Sequence, residues 1–122
     1  MHRTAVVVCA ALLATRSLQA QACKKDDTYF EFQVSVTAAF IADSSALKPD
    51  PQPTRNPPNL VQFNVDTTGA VEIASFHALK FYGREFVDSV RAVLPKWRFK
   101  PALLNGHKVC QLFQTPVVLS GK

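Results

Sequence analysis

Apolar and polar residues alternate strictly from Leu60 to Asp66 (LVQFNVD). Val61, Phe63 and Val65 fall on one face, and the polar residues between them fall on the other. A period of two is typical of a strand with one buried face. The segment is therefore predicted to be a strand that covers a core.

A hairpin is predicted to follow this strand. Thr67-Thr68-Gly69 reads as a turn, because Gly tolerates a positive φ and Asp66 can hydrogen-bond the turn backbone. Ala70 to Leu79 (AVEIASFHAL) reads as the return strand. Its apolar residues change phase midway, which predicts a β-bulge near Ala74-Ser75.

Apolar residues then change to a helical period in Arg84 to Leu94 (REFVDSVRAVL). Phe86 and Val90 lie four residues apart, and further apolar residues continue the same stripe. Gly83 stands where the helix begins. Pro95 disfavours helical geometry in the residue before it, so the helix is predicted to end or bend there.

The chain closes with WRFKPALLNGHKV and an apolar strand. Trp97 continues the helical stripe and Phe99 lies two residues beyond it. Asn105-Gly106 is a strong signal for a two-residue hairpin. The last strand is predicted from Lys108 to about Leu119, where Pro116 implies an edge position or an early end.

Strand periodicity also marks Tyr29 to Ile41 (YFEFQVSVTAAFI), where apolar and polar residues alternate up to Val36. Five prolines between Lys48 and Pro58 predict a stiff, extended and unpaired connector. We therefore expect an N-terminal strand segment over residues 23–47, a linker over 48–58, and a domain over 59–120.

Residues 1–22 have the pattern of an export signal. A short cationic start precedes an apolar run from Ala5 to Ala14, and Ala20-Gln21-Ala22 fits a small-x-small cleavage site. The apolar run is too short to span a bilayer, which takes ~20 residues. The mature protein is therefore predicted to be exported.

Export leaves two cysteines, Cys23 and Cys110. They can form a disulfide in an oxidising compartment. Cys23 also follows the predicted cleavage point, where a lipoprotein carries its lipid. A disulfide, a lipid anchor at Cys23 and two free thiols are the three possibilities.

Charge and chemistry point to binding rather than catalysis. The whole chain carries a net charge of +5, and its cations concentrate after residue 80, which indicates either a solvated face or a docking side for an acidic partner. Export argues against nucleic acid. Neither His77, expected to face solvent, nor His107 has a partner at metal-ligand spacing. We predict no enzyme activity, no metal and no cofactor.

The order strand, DTTG turn, strand, helix, WRFKPA, Asn-Gly turn, strand resembles the C-terminal domain of the TonB energy-transducer family, from Val61 to about Val117. The resemblance implies an α+β fold, in which a small antiparallel sheet of a β-hairpin and a closing strand packs one amphipathic helix on one face. It also implies a set of core anchors. They are Val61, Phe63, Val65, Phe86, Val90, Trp97 and Phe99.

In that family the domain binds an extended peptide of an outer-membrane transporter, which adds as a strand beside the sheet's edge. The resemblance thus implies a role in energy-coupled transport and a transporter, or a second copy of the chain, as partner. The edge would be Val109, Cys110, Gln111, Leu112, Phe113, Gln114 and Thr115. The cations expected to favour an acidic partner are Arg98, Lys100 and Lys108.

The chain departs from the family in lacking an inner-membrane helix and a long proline-rich spacer. It is therefore expected to be a free periplasmic binding module rather than a complete transducer. The alternative is a structural or scaffold protein of the cell envelope, of which a lipoprotein is one form. In that case Tyr29 to Val36 would pair with the last strand and block its edge.

Overall fold

The computed structural model describes residues 23–41, 47–50 and 55–119, so the predicted export signal lies outside the described residues. The described part is mixed α+β and consists mostly of short strands with one α-helix. The helix, α1, spans Arg84–Val93. The strands are β1 Thr28–Tyr29, β2 Ala39–Ile41, β3 Leu47–Pro49, β4 Leu60–Val65, β5 Val71–Lys80, β6 Arg98–Lys100, β7 Ala102–Leu104, β8 His107–Thr115 and β9 Val117–Leu119.

The main sheet has the order β1-β8-β4-β5, and β7 also pairs with β8. Strands β4 and β5 form the predicted hairpin, and β8 lies antiparallel on the other side of β4. Strand β1 pairs with β8 in parallel. Two small two-stranded sheets, β2–β6 and β3–β9, complete the described part. The coarse α+β class predicted from the sequence is thus confirmed.

The turn between β4 and β5 forms as the sequence predicts. Asp66 is buried, and its carboxylate accepts the backbone N–H of Thr68 at 2.8 Å and that of Ala70 at 3.1 Å. Gly69 has a φ of +92°. Its carbonyl accepts the N–H of Phe99 at 2.8 Å, which joins the turn to the segment after the helix.

The predicted bulge in β5 is also confirmed. Gln62 pairs with His77, whereas Asn64, two residues later, pairs with Glu72, so β5 carries extra residues between these partners. Within the bulge, the Ser75 hydroxyl accepts the backbone N–H of Asn64 at 2.8 Å. The extra residues explain why the apolar phase changes along β5. His77 is exposed, as expected.

Helix α1 ends at Val93, and a 3₁₀ turn of Leu94–Lys96 carries Pro95. This places Trp97 at the centre of the core, where it is fully buried. The indole N–H donates to the carbonyl of Leu47 at 3.0 Å, which satisfies the only polar atom of the side chain. The ring also makes edge contacts with Phe40 and Phe63.

Six of the seven expected core anchors are buried, and Phe86 is half-buried against them. Burying each large aromatic side chain contributes about 2–3 kcal/mol of hydrophobic free energy. The buried anchors are Val61, Phe63, Val65, Val90, Trp97 and Phe99.

The predicted strand across Tyr29 to Val36 is wrong over most of its length. Strand β1 ends at Tyr29, and Glu31–Gln33 forms a 3₁₀ turn. The Gln33 side chain accepts the N–H of Phe30 at 2.8 Å, and this local hydrogen bond competes with strand pairing. Val36 makes only an isolated bridge, to Leu103 of β7.

The expected unpaired linker also begins differently. Residues 47–49 form β3, which pairs with β9 in an antiparallel arrangement, and Pro49 is buried. A two-stranded sheet has only edge strands, where the missing N–H of a proline is tolerated. Asn59 lies buried beside β9 and exchanges two hydrogen bonds with the backbone of Val117. The segments before residue 59 thus pack with the predicted domain.

We predict that Gly69→Ala lowers the free energy of unfolding by about 3 kcal/mol or more, measured by urea denaturation. Two effects add. The positive φ is unfavourable for alanine, and a Cβ at this position would overlap the carbonyl oxygen of Phe99.

Gly106→Ala is the matched control. Gly106 has a similar φ of +84°, but nothing lies within 4 Å of an added Cβ. We expect a cost of about 1–2 kcal/mol there, from the backbone alone. Equal costs at the two glycines would show that the close contact between Gly69 and Phe99 does not matter.

Candidate peptide-binding edge

Strand β8 is the structural counterpart of the predicted binding strand. One of its two edges is fully used, because β4 pairs with it from Gln111 to Thr115. At its start, Val109 pairs with Ala102 of β7 in the predicted Asn-Gly hairpin. Any strand that adds to β8 must therefore use the edge that faces away from β4.

This outer edge is partly occupied by the chain itself. Thr28 and Tyr29 of β1 pair with Cys110 and Gln111. The expectation of an edge that is open from Val109 to Thr115 is therefore wrong at residues 109–111. Past Gln111, the described part of the chain places no strand on the outer edge.

Hydrogen-bond directions identify which residues of β8 face outward. Asn64 of β4 directs its N–H toward β5, to the Ser75 hydroxyl. Because main-chain groups alternate in direction along a strand, Phe63 directs its N–H and C=O toward β8, where Phe113 is its partner. By the same alternation, Gln114 directs its N–H and C=O away from β4. The open part of the edge therefore centres on Gln114.

A groove of 300 Å³ lies beside this open part, lined by Phe30, Glu31, Phe32, Leu112 and Gln114. The rings of Phe30 and Phe32 stack with their centroids 5.4 Å apart. They are 49% and 83% exposed. An aromatic pair this exposed, next to unpaired main-chain groups, can cover the side chains of an added strand.

Cys23 and Cys110 are joined by a disulfide, with their Cα atoms 6.0 Å apart. Cys110 is the residue of β8 that pairs with Thr28, so the disulfide lies beside β1. It uses the Cys23 thiol, which is the atom that a lipid anchor would have to modify.

Other residues of the predicted edge serve the fold. Gln111 is buried, and its side-chain oxygen accepts the N–H of Ala38 at 2.7 Å. Phe113 packs its ring against Phe63 and Phe99 in the core. Thr115 is buried beside Pro116. Leu112 and Gln114 are the predicted edge residues that line the groove.

The three predicted cations lie in two places. Arg98 and Lys100 are on β6, which pairs with β2 rather than with β8. The Arg98 guanidinium donates to the backbone carbonyls of Pro95 and Trp97. Lys108 is exposed on β8, and it lines a groove together with Asp27 and Tyr29. Of the three, Lys108 is the one on the strand with the open edge.

Sequence reasoning missed the Phe30–Phe32 pair as part of the site, because alternation placed these rings on the buried face of a strand. The alternative in which Tyr29 to Val36 blocks the edge anticipated a pairing with the last strand, but not that the pairing is limited to Cys110 and Gln111. One signal pointed there, since pairing Cys23 with Cys110 brings the residues after Cys23 close to β8.

Among the described residues, no group of three or more His, Cys, Asp or Glu side chains is arranged to hold a metal ion. In the same part of the chain, no helix has the length and hydropathy needed to cross a membrane. Comparison of the chain with models of protein families, with curated proteins and with solved structures finds no match.

We predict that Gln111→Leu lowers the free energy of unfolding by about 1–3 kcal/mol, because it leaves the N–H of Ala38 without its acceptor. Urea denaturation monitored by Trp97 fluorescence measures the change. Gln114→Leu, at an exposed position of the same strand, is the control and is expected to cost less than about 0.5 kcal/mol. If both variants cost the same, the hydrogen bond to Ala38 contributes nothing.

Proposed function

We propose that this protein is a periplasmic interaction module that resembles the TonB C-terminal domain and binds an extended peptide by strand addition. The observation that carries the proposal is the outer edge of β8, which has no strand partner past Gln111 in the described chain and is flanked by Phe30 and Phe32. Strand addition uses main-chain hydrogen bonds for affinity and side-chain contacts for specificity. The main-chain groups of Gln114 offer the hydrogen bonds, and the rings of Phe30 and Phe32 offer the side-chain contacts.

The partner that fits the resemblance is a peptide from the periplasmic end of an outer-membrane transporter, in energy-coupled transport. The arrangement of the chain supports this reading. The QFNVDTTGAVEI hairpin, the helix and WRFKPA together build the sheet that presents β8, and Trp97 and Phe99 lie in its core. The WRFKPA stretch thus contributes core side chains on which the sheet with the binding strand packs. It supplies no catalytic group.

A structural role in the cell envelope is the second candidate function. The pairing of β1 with Cys110 and Gln111 favours it, because a strand from the same chain already closes part of the edge. The lipoprotein form of this alternative is disfavoured, since the Cys23 thiol is engaged in the disulfide. The two functions differ in whether a peptide from outside can still reach Gln114.

We predict that transporter N-terminal peptides titrated into the protein shift the amide resonance of Gln114 and slow its hydrogen exchange. The amide of Phe113 faces β4 and should change much less, which makes it an internal control. NMR titration with amide-exchange measurement tests this. If no peptide perturbs residues 112–115, the proposed function is wrong.

Two substitutions at one position separate main-chain from side-chain binding. Gln114→Ala keeps the N–H and should bind the peptide within about twofold of wild type, whereas Gln114→Pro lacks the donor and should bind at least about tenfold more weakly. Circular dichroism and thermal unfolding check that both variants fold. Equal binding by the two folded variants would contradict strand addition.

Charge reversal tests the acidic-partner prediction. Lys108→Glu should weaken binding of an acidic peptide about three- to tenfold, mostly at low salt, because the charge lies on the binding strand. Lys100→Glu changes the net charge equally but lies on β6, so it should have little effect. Fluorescence anisotropy at two salt concentrations measures both, and equal losses would show a nonspecific charge effect.

A further inference from the structure

The segment that covers the outer edge of β8 is weakly attached to the rest of the protein. No residue from 23 to 33 is buried, and its strand β1 is two residues long. Two of its side-chain hydrogen bonds are local, from the Thr28 hydroxyl to the carbonyl of Lys24 and from the N–H of Phe30 to the Gln33 side chain. The N–H of Cys23 donates to the Glu72 carboxylate at 3.2 Å, and β1 pairs with β8 over two residues.

The chain is firmly held only a few residues later. Ser35 and Val36 hydrogen-bond to the backbone of Leu103, and buried Ala38 donates to Gln111. Residues 23–33 can therefore leave β8 while the core stays intact. Their one strong connection to β8 is the covalent bond between Cys23 and Cys110.

We propose that the Cys23–Cys110 disulfide is a redox latch that keeps β1 on the partner-binding edge, and that its reduction releases β1 and lengthens the edge available to a peptide. The proposal rests on the proposed function of that edge. In the oxidised protein the open edge begins after Gln111. In the reduced protein it would also include Cys110, whose main-chain groups face away from β4 by the same alternation as those of Gln114 and lie beside β1 in the oxidised protein.

The reductant is a dithiol, and the reaction is thiol–disulfide exchange. A thiolate of the dithiol attacks the sulfur of Cys23, which is half-buried, whereas Cys110 is only 7% exposed. A mixed disulfide forms with Cys23, and Cys110 leaves as a thiolate that takes up a proton. The second thiolate of the dithiol then displaces Cys23. Two electrons and two protons pass to the cysteines, and the dithiol becomes a disulfide.

The covering segment also indicates what a competing peptide would carry. It runs parallel to β8, and its Asp27 and Tyr29 share a groove with Lys108. A peptide that replaces it would therefore be extended and parallel to β8. It would place an acidic residue near Lys108, just before its strand residues.

Hydrogen exchange tests the latch without any partner. The Cys110 amide is measured in a Cys9→Ser background, so that no third thiol can exchange, with and without dithiothreitol. We expect reduction to lower the protection of this amide at least about tenfold and to leave Phe113 unchanged. Cys23→Ser should give the low protection under both conditions. Unchanged protection at Cys110 after reduction would overturn the latch and make β1 a permanent strand.

Binding is tested with a labelled synthetic peptide of residues 24–30 of this chain (KKDDTYF), the segment that now covers the edge. Reduced protein and Cys23→Ser should bind it at least about tenfold more tightly than oxidised protein. Tyr29→Pro, which impairs β1 but keeps the disulfide, should also bind more tightly without reduction. Equal affinity for the oxidised and reduced forms would overturn the latch.

The two measurements separate the two proposals. Release of Cys110 protection together with tighter peptide binding supports both. If release occurs but neither this peptide nor transporter peptides bind the reduced protein, the proposed function is wrong although the disulfide does control β1. If transporter peptides bind both forms equally and Cys110 stays protected, the proposed function stands and the latch is wrong.

Discussion

The burial of Trp97 is the interaction on which the rest of the structure depends. Its ring lies where the end of the helix, the main sheet and the N-terminal segments meet, against Phe40 and Phe63, and its N–H reaches the carbonyl of Leu47. A large apolar ring with one polar atom can join such different elements, because the ring contributes hydrophobic free energy and the N–H satisfies a main-chain carbonyl. Through Leu47 this one residue also fixes β3.

Strand β8 has to satisfy two opposing demands. It supplies core side chains such as Phe113 and pairs with β4, so its inner edge must be permanent. An outer edge left wholly unpaired would invite association with other chains. Here a short, exposed strand from the same chain covers part of that edge and a disulfide holds it there. Such a cover protects the edge with little buried surface, and this weak burial is the basis of the proposed release of β1.

The parts of the fold that the sequence predicted well are those governed by local rules. The β4–β5 turn followed from Asp66 and Gly69, and the β7–β8 turn followed from Asn105-Gly106, whose φ values of +53° and +84° are those that such a pair favours. The bulge in β5 was visible as a change of phase. In these cases the residues that specify the conformation are the residues that adopt it.

The sequence alone determined the hairpin, the helix and the strand β8, because period, turn chemistry and proline position act over a few residues, whereas the core anchors around Trp97 were implied by the resemblance. The tertiary structure alone decided which part of β8 is open. The alternation at Phe30 and Phe32 indicated a buried strand, yet the described residues place no partner strand beside these rings, and the Gln33 side chain closes a local turn instead. Pairing of β1 with β8 and of β3 with β9 joins residues far apart in the chain. Such contacts depend on loop closure and competition among edges, which no local pattern records.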